Sequence, residues 1–142
     1  MVLATASEES RDYLQGLGAA EIIDYHMADF GERAGELDIV LDTVGGGYGQ
    51  RSIPCLKPAG RLITVLERAD EDLKARTLAA GRRLAGVTVE PVHAGLEELA
   101  KLVIDGRLEP NVDATFPLER AAAAHERMEA GHTRGKIVLR VS

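Results

Sequence analysis

Leu37-Asp38-Ile39-Val40-Leu41-Asp42-Thr43-Val44-Gly45-Gly46-Gly47 is the stretch whose reading decides the fold of this chain. Its aliphatic and β-branched residues have no helical spacing and stop at three glycines, which predicts a buried strand at Asp38–Leu41 feeding a tight loop. In open α/β sheets ligands settle in the crevice outside the carboxyl ends of the strands, and glycine lets backbone approach them closely. A companion follows at once: Leu56-Lys57-Pro58-Ala59-Gly60-Arg61-Leu62-Ile63-Thr64-Val65 reads as a turn and a second buried strand, Arg61–Val65. Strand, glycine loop, short helix and strand make a crossover, the unit from which parallel sheets are built.

Upstream of this centre, Ile22–Tyr25 and Val2–Ala6 are short apolar strands. Ser7 offers an N-cap with Glu8 and Glu9 in the favourable first turn, so a helix is expected to run to about Leu17 and to end at Gly18. His26 to Glu36, with two glycines and mixed charge, is a short helical or loop crossover. Downstream, Pro54 can sit only in the first turn of a helix, which limits that helix to roughly Arg51–Leu56. Asp70–Ala80 is helical by content, and Val87–Val92 reads as a strand in which Pro91 marks an edge or an end. Leu96, Leu99, Ala100 and Val103 share one helix face closed by Gly106. Asn111–Phe116 is extended, a helix runs from Leu118 to about Ala130, and Lys136–Val141 alternates as a final strand. The alternation predicts an α/β fold with a mostly parallel sheet.

A chain of 142 residues can fill one core, so a single domain is expected. The composition, 45% hydrophobic and 28% charged, is that of a soluble globular protein, and no apolar run approaches the ~18 residues of a membrane span. No signal peptide is visible, so a cytoplasmic protein without membrane attachment is expected. The net charge of -6 argues against nucleic acid as a partner, because phosphate binding draws on clustered Lys and Arg. One cysteine, Cys55, excludes an internal disulfide and a cysteine-rich zinc site, and reads as a small buried apolar residue. His26, His93, His125 and His132 have no ligand spacing, so no metal site is expected. No carboxylate pair or Ser/His arrangement stands out as catalytic.

Seven segments fall in a familiar order: Ala4-Thr5-Ala6-Ser7, Leu17-Gly18-Ala19, Ile23-Asp24-Tyr25, Asp38 to Gly46, Leu56-Lys57-Pro58-Ala59-Gly60-Arg61, Phe116-Pro117-Leu118-Glu119, and Gly131 to Leu139. Together they resemble the carboxy-terminal part of the medium-chain dehydrogenase/reductase superfamily, in its quinone oxidoreductase-like branch. The resemblance implies an NADPH-dependent reductase of quinones, enones or similar activated double bonds, working without a catalytic zinc. It also implies that residues 1–142 are a partial Rossmann-like nucleotide-binding domain, and that residues 111–142 form a tail that packs on the catalytic domain in relatives.

The departures from the family pattern carry as much information. Relatives possess an amino-terminal catalytic domain and a first Rossmann strand whose glycine-rich loop holds the pyrophosphate; this chain begins at what looks like the second strand. The expected fold is therefore an incomplete, doubly wound Rossmann-like sheet lacking its first strand. In the order 3-2-1-4-5-6 that strand is central, so Val2–Ala6 and Asp38–Leu41 each lose a neighbour. Unpaired buried backbone groups cost ~1–3 kcal/mol apiece, against a total stability of ~5–15 kcal/mol. A homodimer, a separate amino-terminal half, or direct pairing of the two strands would fill the gap.

By the same resemblance, Thr5, Ser7 and Tyr25 match positions that hold the adenosine 2′-phosphate of NADP. The usual basic residue is replaced by Ser10, with Arg11 beside it as a substitute, while Glu8 and Glu9 bring unhelpful negative charge. NAD enzymes place an acid at the end of that strand, and here it ends in small residues. Ser7 also reads as a plain helix cap and Tyr25 as a packing residue. Thr43, Val44, Gly45 and Gly46 would line the nicotinamide ribose side, with Leu66 close by; a tight turn alone would also explain the glycines. Arg134 and Lys136 read as surface charge. Two rival readings are a methyltransferase of the S-adenosylmethionine type, which would need a final antiparallel hairpin, and a non-catalytic remnant acting as a binding module.

Overall fold

The computed structural model describes every residue from 1 to 142 except Pro91, His132 and Ser142, and its contacts divide the chain into Met1–Val89 and Glu90–Ser142.

The first unit opens with strand β1 (Leu3–Ala6). A 3-10 turn at Glu8–Ser10 leads into helix α1 (Arg11–Gly16), which is shorter than expected because its first turn winds too tightly to be α. Ser7 stands at the N-cap with extended backbone, but its hydroxyl makes no capping bond. Gly18, at φ 97°, turns the chain into strand β2 (Glu21–Asp24), parallel to β1 with Thr5 opposite Ile23 and Ala6 opposite Asp24. Helix α2 (Phe30–Arg33) follows, capped by Asp29, whose carboxylate accepts from Gly31 N–H at 2.7 Å.

Strand β3 (Leu37–Asp42) then runs into the glycines. Helix α3 (Tyr48–Ser52) starts directly after them, earlier than expected, and Pro54 falls in a separate 3-10 turn, Ile53–Cys55. Strand β4 (Leu56–Thr64), helix α4 (Glu71–Ala79) and strand β5 (Arg83–Gly86) complete the unit. These three strands form one parallel sheet in the order β3-β4-β5. Leu37 pairs with Leu56 but Ile39 with Arg61, so residues 57–60 bulge from β4. The bulge needs Gly60, where a Cβ would lie 2.8 Å from the Lys57 carbonyl oxygen.

The strand expected at Val87–Val92 is not one over its described residues: 87 to 90 are irregular, Pro91 lies outside the described residues, and the strand is β5, four residues upstream. Register overrides propensity here. β5 runs level with β4, Arg83 opposite Arg61 and Gly86 opposite Thr64, and β4 ends at Thr64; the β-branched run lies beyond the sheet, with Val87 N–H on the Thr64 carbonyl as its last bond to it.

Two apolar clusters fill the unit. Ile23, Phe30, Ala34 and Cys55 form one, joined by Leu3, Leu37 and Tyr48; Ile53, Leu56, Leu62 and Leu73 form the other, joined by Leu37, Val40 and Leu84. Leu37 belongs to both, so the β1-β2 pair and the β3-β4-β5 sheet share a continuous apolar layer. Arg51 lies over the rings of Phe30 and Tyr48, at 4.8 and 5.1 Å, and pairs with Asp29 at 3.0 Å. Gly31 N–H and then Arg51 hold the Asp29 carboxyl below its usual range. Cys55 is buried and its thiol is pushed up by that burial, which suits a packing residue and not a nucleophile.

The second unit contains helix α5 (His93–Ile104), closed as expected by Gly106 at φ 67°. Strand β6 (Val112–Pro117), a 3-10 turn at Leu118–Arg120, helix α6 (Ala121–Glu129) and strand β7 (Lys136–Arg140) follow. β6 and β7 are parallel, with Phe116 opposite Leu139. Arg127 ties α6 to β6 through Asp113 at 3.1 Å.

Among the described residues β1 pairs with β2 alone and β3 with β4 alone, so these two strands are not joined to each other within the chain. The fold is α/β with parallel strand pairing throughout its described sheets. Among the described residues no helix is long and apolar enough to cross a membrane.

Candidate functional site

The loop after β3 is built by two carboxylates. Gly45, Gly46 and Gly47 have φ of 69, 65 and 88°, three consecutive left-handed residues that a side chain would strain. Asp42 closes the near side: its Oδ1 accepts from Val44 N–H at 2.9 Å and Gly45 N–H at 3.0 Å. Glu67, beyond the end of β4, closes the far side by accepting from Gly47 N–H at 3.1 Å through Oε1. It is held in turn by its own N–H on the Thr64 hydroxyl, 3.1 Å. The second oxygens, Asp42 Oδ2 and Glu67 Oε2, are buried with no hydrogen-bond partner among the described residues.

This arrangement restricts what the loop can bind. Three of its N–H groups already donate to carboxylates, so it is not a phosphate cradle, which needs free N–H groups converging on an anion. What it presents is a surface: Thr43 and Gly46 are exposed, Val44 is 61% exposed and Leu66, which touches Gly45, is 60% exposed. The structure therefore brings Thr43, Val44, Gly45, Gly46 and Leu66 together at the carboxyl ends of β3 and β4. The loop thus offers a ligand a partly apolar surface, Val44 and Leu66, beside one exposed hydroxyl-bearing residue, Thr43.

The second cluster lies at the carboxyl end of the β1-β2 pair. Register sets Ala6 level with Asp24, so Ser7 and Tyr25, the next residue of each chain segment, leave the sheet side by side. Thr5 is exposed on β1, Tyr25 is half exposed with its ring 4.2 Å from that of His26, and Arg11 opens α1. Three hydroxyls and a guanidinium are donors that fit the oxygens of a phosphate. Arg11, however, is engaged: its Nε and Nη2 donate to Glu8 Oε1 and Oε2, both at 2.6 Å. Asp24 lies at the same end; its Oδ1 accepts from His26 N–H at 2.9 Å and meets His26 Nδ1 at 3.1 Å, and the backbone N–H bond holds its carboxyl below the usual range.

Sequence reading named neither Asp42 nor Glu67 as site residues. Asp42 had a local signal, since Asp followed by glycine three residues on is the pattern of a side chain capping its own turn. Glu67 had none, being 20 residues from the N–H it holds. A hollow of about 490 Å³ lined by Asp38, Ile39, Lys57, Pro58, Ala59, Gly60, Arg61 and Arg83 lies at the amino ends of the strands, away from both clusters. Among the described residues no group of three or more His, Cys, Asp or Glu is placed to hold a metal ion.

Parallel strands with glycine and hydroxyl residues gathered at their carboxyl ends define a Rossmann-like unit. Residues 17–139 match the family profile described as zinc-binding dehydrogenase, and the chain belongs to that family, within the medium-chain dehydrogenase/reductase superfamily. Over 99% of its length it is 30% identical to "NAD(P)H oxidoreductase RTN4IP1, mitochondrial" of Mus musculus, covering 41% of that protein. Over 97% of its length it is 32% identical to the "2-haloacrylate reductase" of Burkholderia sp, covering 47% of that protein. The solved structure of the quinone oxidoreductase from Coxiella burnetii superposes with a TM-score of 0.89 at 35% identity, over all of this chain and 45% of that one. The chain thus spans less than half the length of these relatives, and it corresponds to their Rossmann-like half. Family membership overturns the methyltransferase reading, and the strands β6 and β7 that would have formed its antiparallel hairpin are parallel.

Proposed function

We propose that this chain is the cofactor-binding part of an NADPH-dependent reductase acting on quinones or on activated alkenes and carbonyls. The observation that carries the reading is the glycine loop: its N–H groups are spent on Asp42 and Glu67, so its outer face, Thr43 to Gly46 with Leu66, is free to carry a nicotinamide ribose but not a phosphate. When bound, the dihydronicotinamide supplies the hydride. The chain's own residues would orient it: Thr43 would hold the sugar, and Val44 and Leu66 would give the ring an apolar seat. Thr5, Ser7, Arg11 and Tyr25 take the 2′-phosphate at the other end, and the absence of an acid within β1 favours NADPH over NADH.

Calorimetric titration with NADPH, NADH and S-adenosylmethionine tests this. At best weak binding of NADPH, tighter than that of NADH, is expected, because the loop is no phosphate cradle, with none of S-adenosylmethionine; no binding of either dinucleotide would leave a non-catalytic binding module as the better reading.

The unpaired edges of β1 and β3 require a partner, because exposed strand edges template pairing with another chain. A homodimer or a separate amino-terminal half supplies it. Light scattering is expected to show the 15.2 kDa chain as a dimer at micromolar concentration when no other half is added. A monomer with slow amide exchange throughout β1 and β3 would refute the requirement.

A further inference from the structure

We propose that the hollow at the amino ends of β3, β4 and β5 is a second ligand site, which takes a phosphomonoester dianion, carried on a small organic molecule, between Arg61 and Arg83. The proposal does not rest on the coenzyme reading, since the hollow lies at the opposite ends of the strands from both clusters described above.

Sheet register brings two like charges together. Ile39 of β3 is level with Arg61 of β4, and Arg61 with Arg83 of β5. Residues level with each other on parallel neighbours leave the same face about 4.8 Å apart, so the two arginines start side by side, an arrangement that costs stability unless an anion lies between them. No carboxylate of the chain does so. The acid among the lining residues is Asp38, and Lys57 takes it up at 2.7 Å; among the described residues neither Arg61 nor Arg83 pairs with an acid. This positive charge is gathered in a chain whose net charge is -6.

The adjacent arginine shows what a structural role consumes. Arg82 donates from Nε and Nη2 to the Leu56 carbonyl, at 3.1 and 2.9 Å, and from Nη1 to that of Ala80. Arg83 uses Nε alone, on the Ala59 carbonyl at 3.0 Å, which leaves both Nη groups without an acceptor among the described residues. Ala59 presents that carbonyl from a left-handed backbone, φ 61°, with its own N–H on the Gly81 carbonyl at 2.9 Å; among the described residues no other non-glycine has positive φ. Arg61 has no side-chain acceptor among the described residues at all. Two planar forks with free edges match the three terminal oxygens and the double charge of a phosphomonoester. At about 490 Å³ the hollow falls in the range of small-molecule sites, about 300–1,000 Å³, and is larger than a phosphoryl group alone. Pro58, Ala59 and Ile39, the last 60% exposed, give the organic part an apolar wall.

The test titrates the full chain by calorimetry with phenyl phosphate and with inorganic phosphate, at about pH 7.5, where a phosphomonoester is mostly a dianion. The unsubstituted chain is compared with Arg61→Gln, Arg83→Gln and Arg11→Gln, circular dichroism confirming the fold; lysine, which keeps the charge and loses the fork, replaces any glutamine that prevents folding. Saturable, one-to-one binding of phenyl phosphate is expected, tighter than that of inorganic phosphate. Arg61→Gln and Arg83→Gln are each expected to weaken it about tenfold, the value of one charge-assisted hydrogen bond, and Arg11→Gln to leave it unchanged. Absence of saturable binding, or an affinity that either hollow substitution leaves intact, overturns the site and leaves the two arginines to an acidic protein partner. A loss confined to Arg11→Gln overturns it too, by placing the phosphate at the other end of the strands. Inorganic phosphate binding as tightly as phenyl phosphate overturns the assignment of an organic ligand.

Discussion

The 142-residue chain by itself, mixed with NADPH and a quinone, is expected to pass hydride no faster than the mixture without protein. Loss of nicotinamide absorbance on addition of the quinone measures this. The reason is positional. Holding donor and acceptor in one geometry is worth about 7–11 kcal/mol of a reaction barrier, and it needs walls on both sides of the reacting atoms. On the function proposed above, the described residues would provide one side only, a loop face and a cluster of donors, and the loop is no phosphate cradle, because the N–H groups of Val44, Gly45 and Gly47 are held by carboxylates. Turnover in the ordinary enzyme range, about 1–10³ per second, would show that these residues complete a site that the structure leaves open.

Replacement of Asp42 by alanine is expected to lower the stability of the first unit by about 2–4 kcal/mol, because two N–H groups at the loop lose their acceptor and cannot all reach water. Asp42 is 5% exposed and its Oδ1 serves both groups, so the loss falls on a buried point where β3 ends and the left-handed glycines begin. Asp42→Asn keeps an oxygen at the same place and is expected to lose much less. Urea unfolding followed by circular dichroism compares them; equal midpoints for Asp42→Ala and the unsubstituted chain would mean that the glycines hold their shape without the carboxylate.

The glycine loop shows how unevenly the molecule could be read from its sequence. An aliphatic run stopping at three glycines announces a strand and a loop whatever surrounds it, since both follow from local sterics. The same holds for the amphipathic run of α5, which lies where hydrophobic spacing puts it. Val87–Val92 failed because its signal was β-propensity alone, and propensity does not say where a neighbouring strand stops; β4 ends at Thr64, so pairing went to Arg83–Gly86 instead. Helix α3 began early because the positive-φ turn of Gly47 determines its first residue, a constraint that acts before Pro54 is reached.

At the site, residue types were legible and their commitments were not. Thr5, Ser7, Arg11, Tyr25 and Thr43 to Gly46 could be picked out because their order along the chain matches a family pattern. That Arg11 is clamped by Glu8 across three positions was within reach of helical spacing, yet whether such a pair forms depends on the 3-10 turn at Glu8–Ser10. The closure of the loop by Glu67 is a contact across 20 residues between two strand ends. Local chemistry decided the elements, the parallel α/β class and the candidate residues. Only the tertiary structure decided which carboxylates consume the loop's donors and which strand edges stay open, because those depend on sheet register, and register is set by packing between segments far apart in sequence.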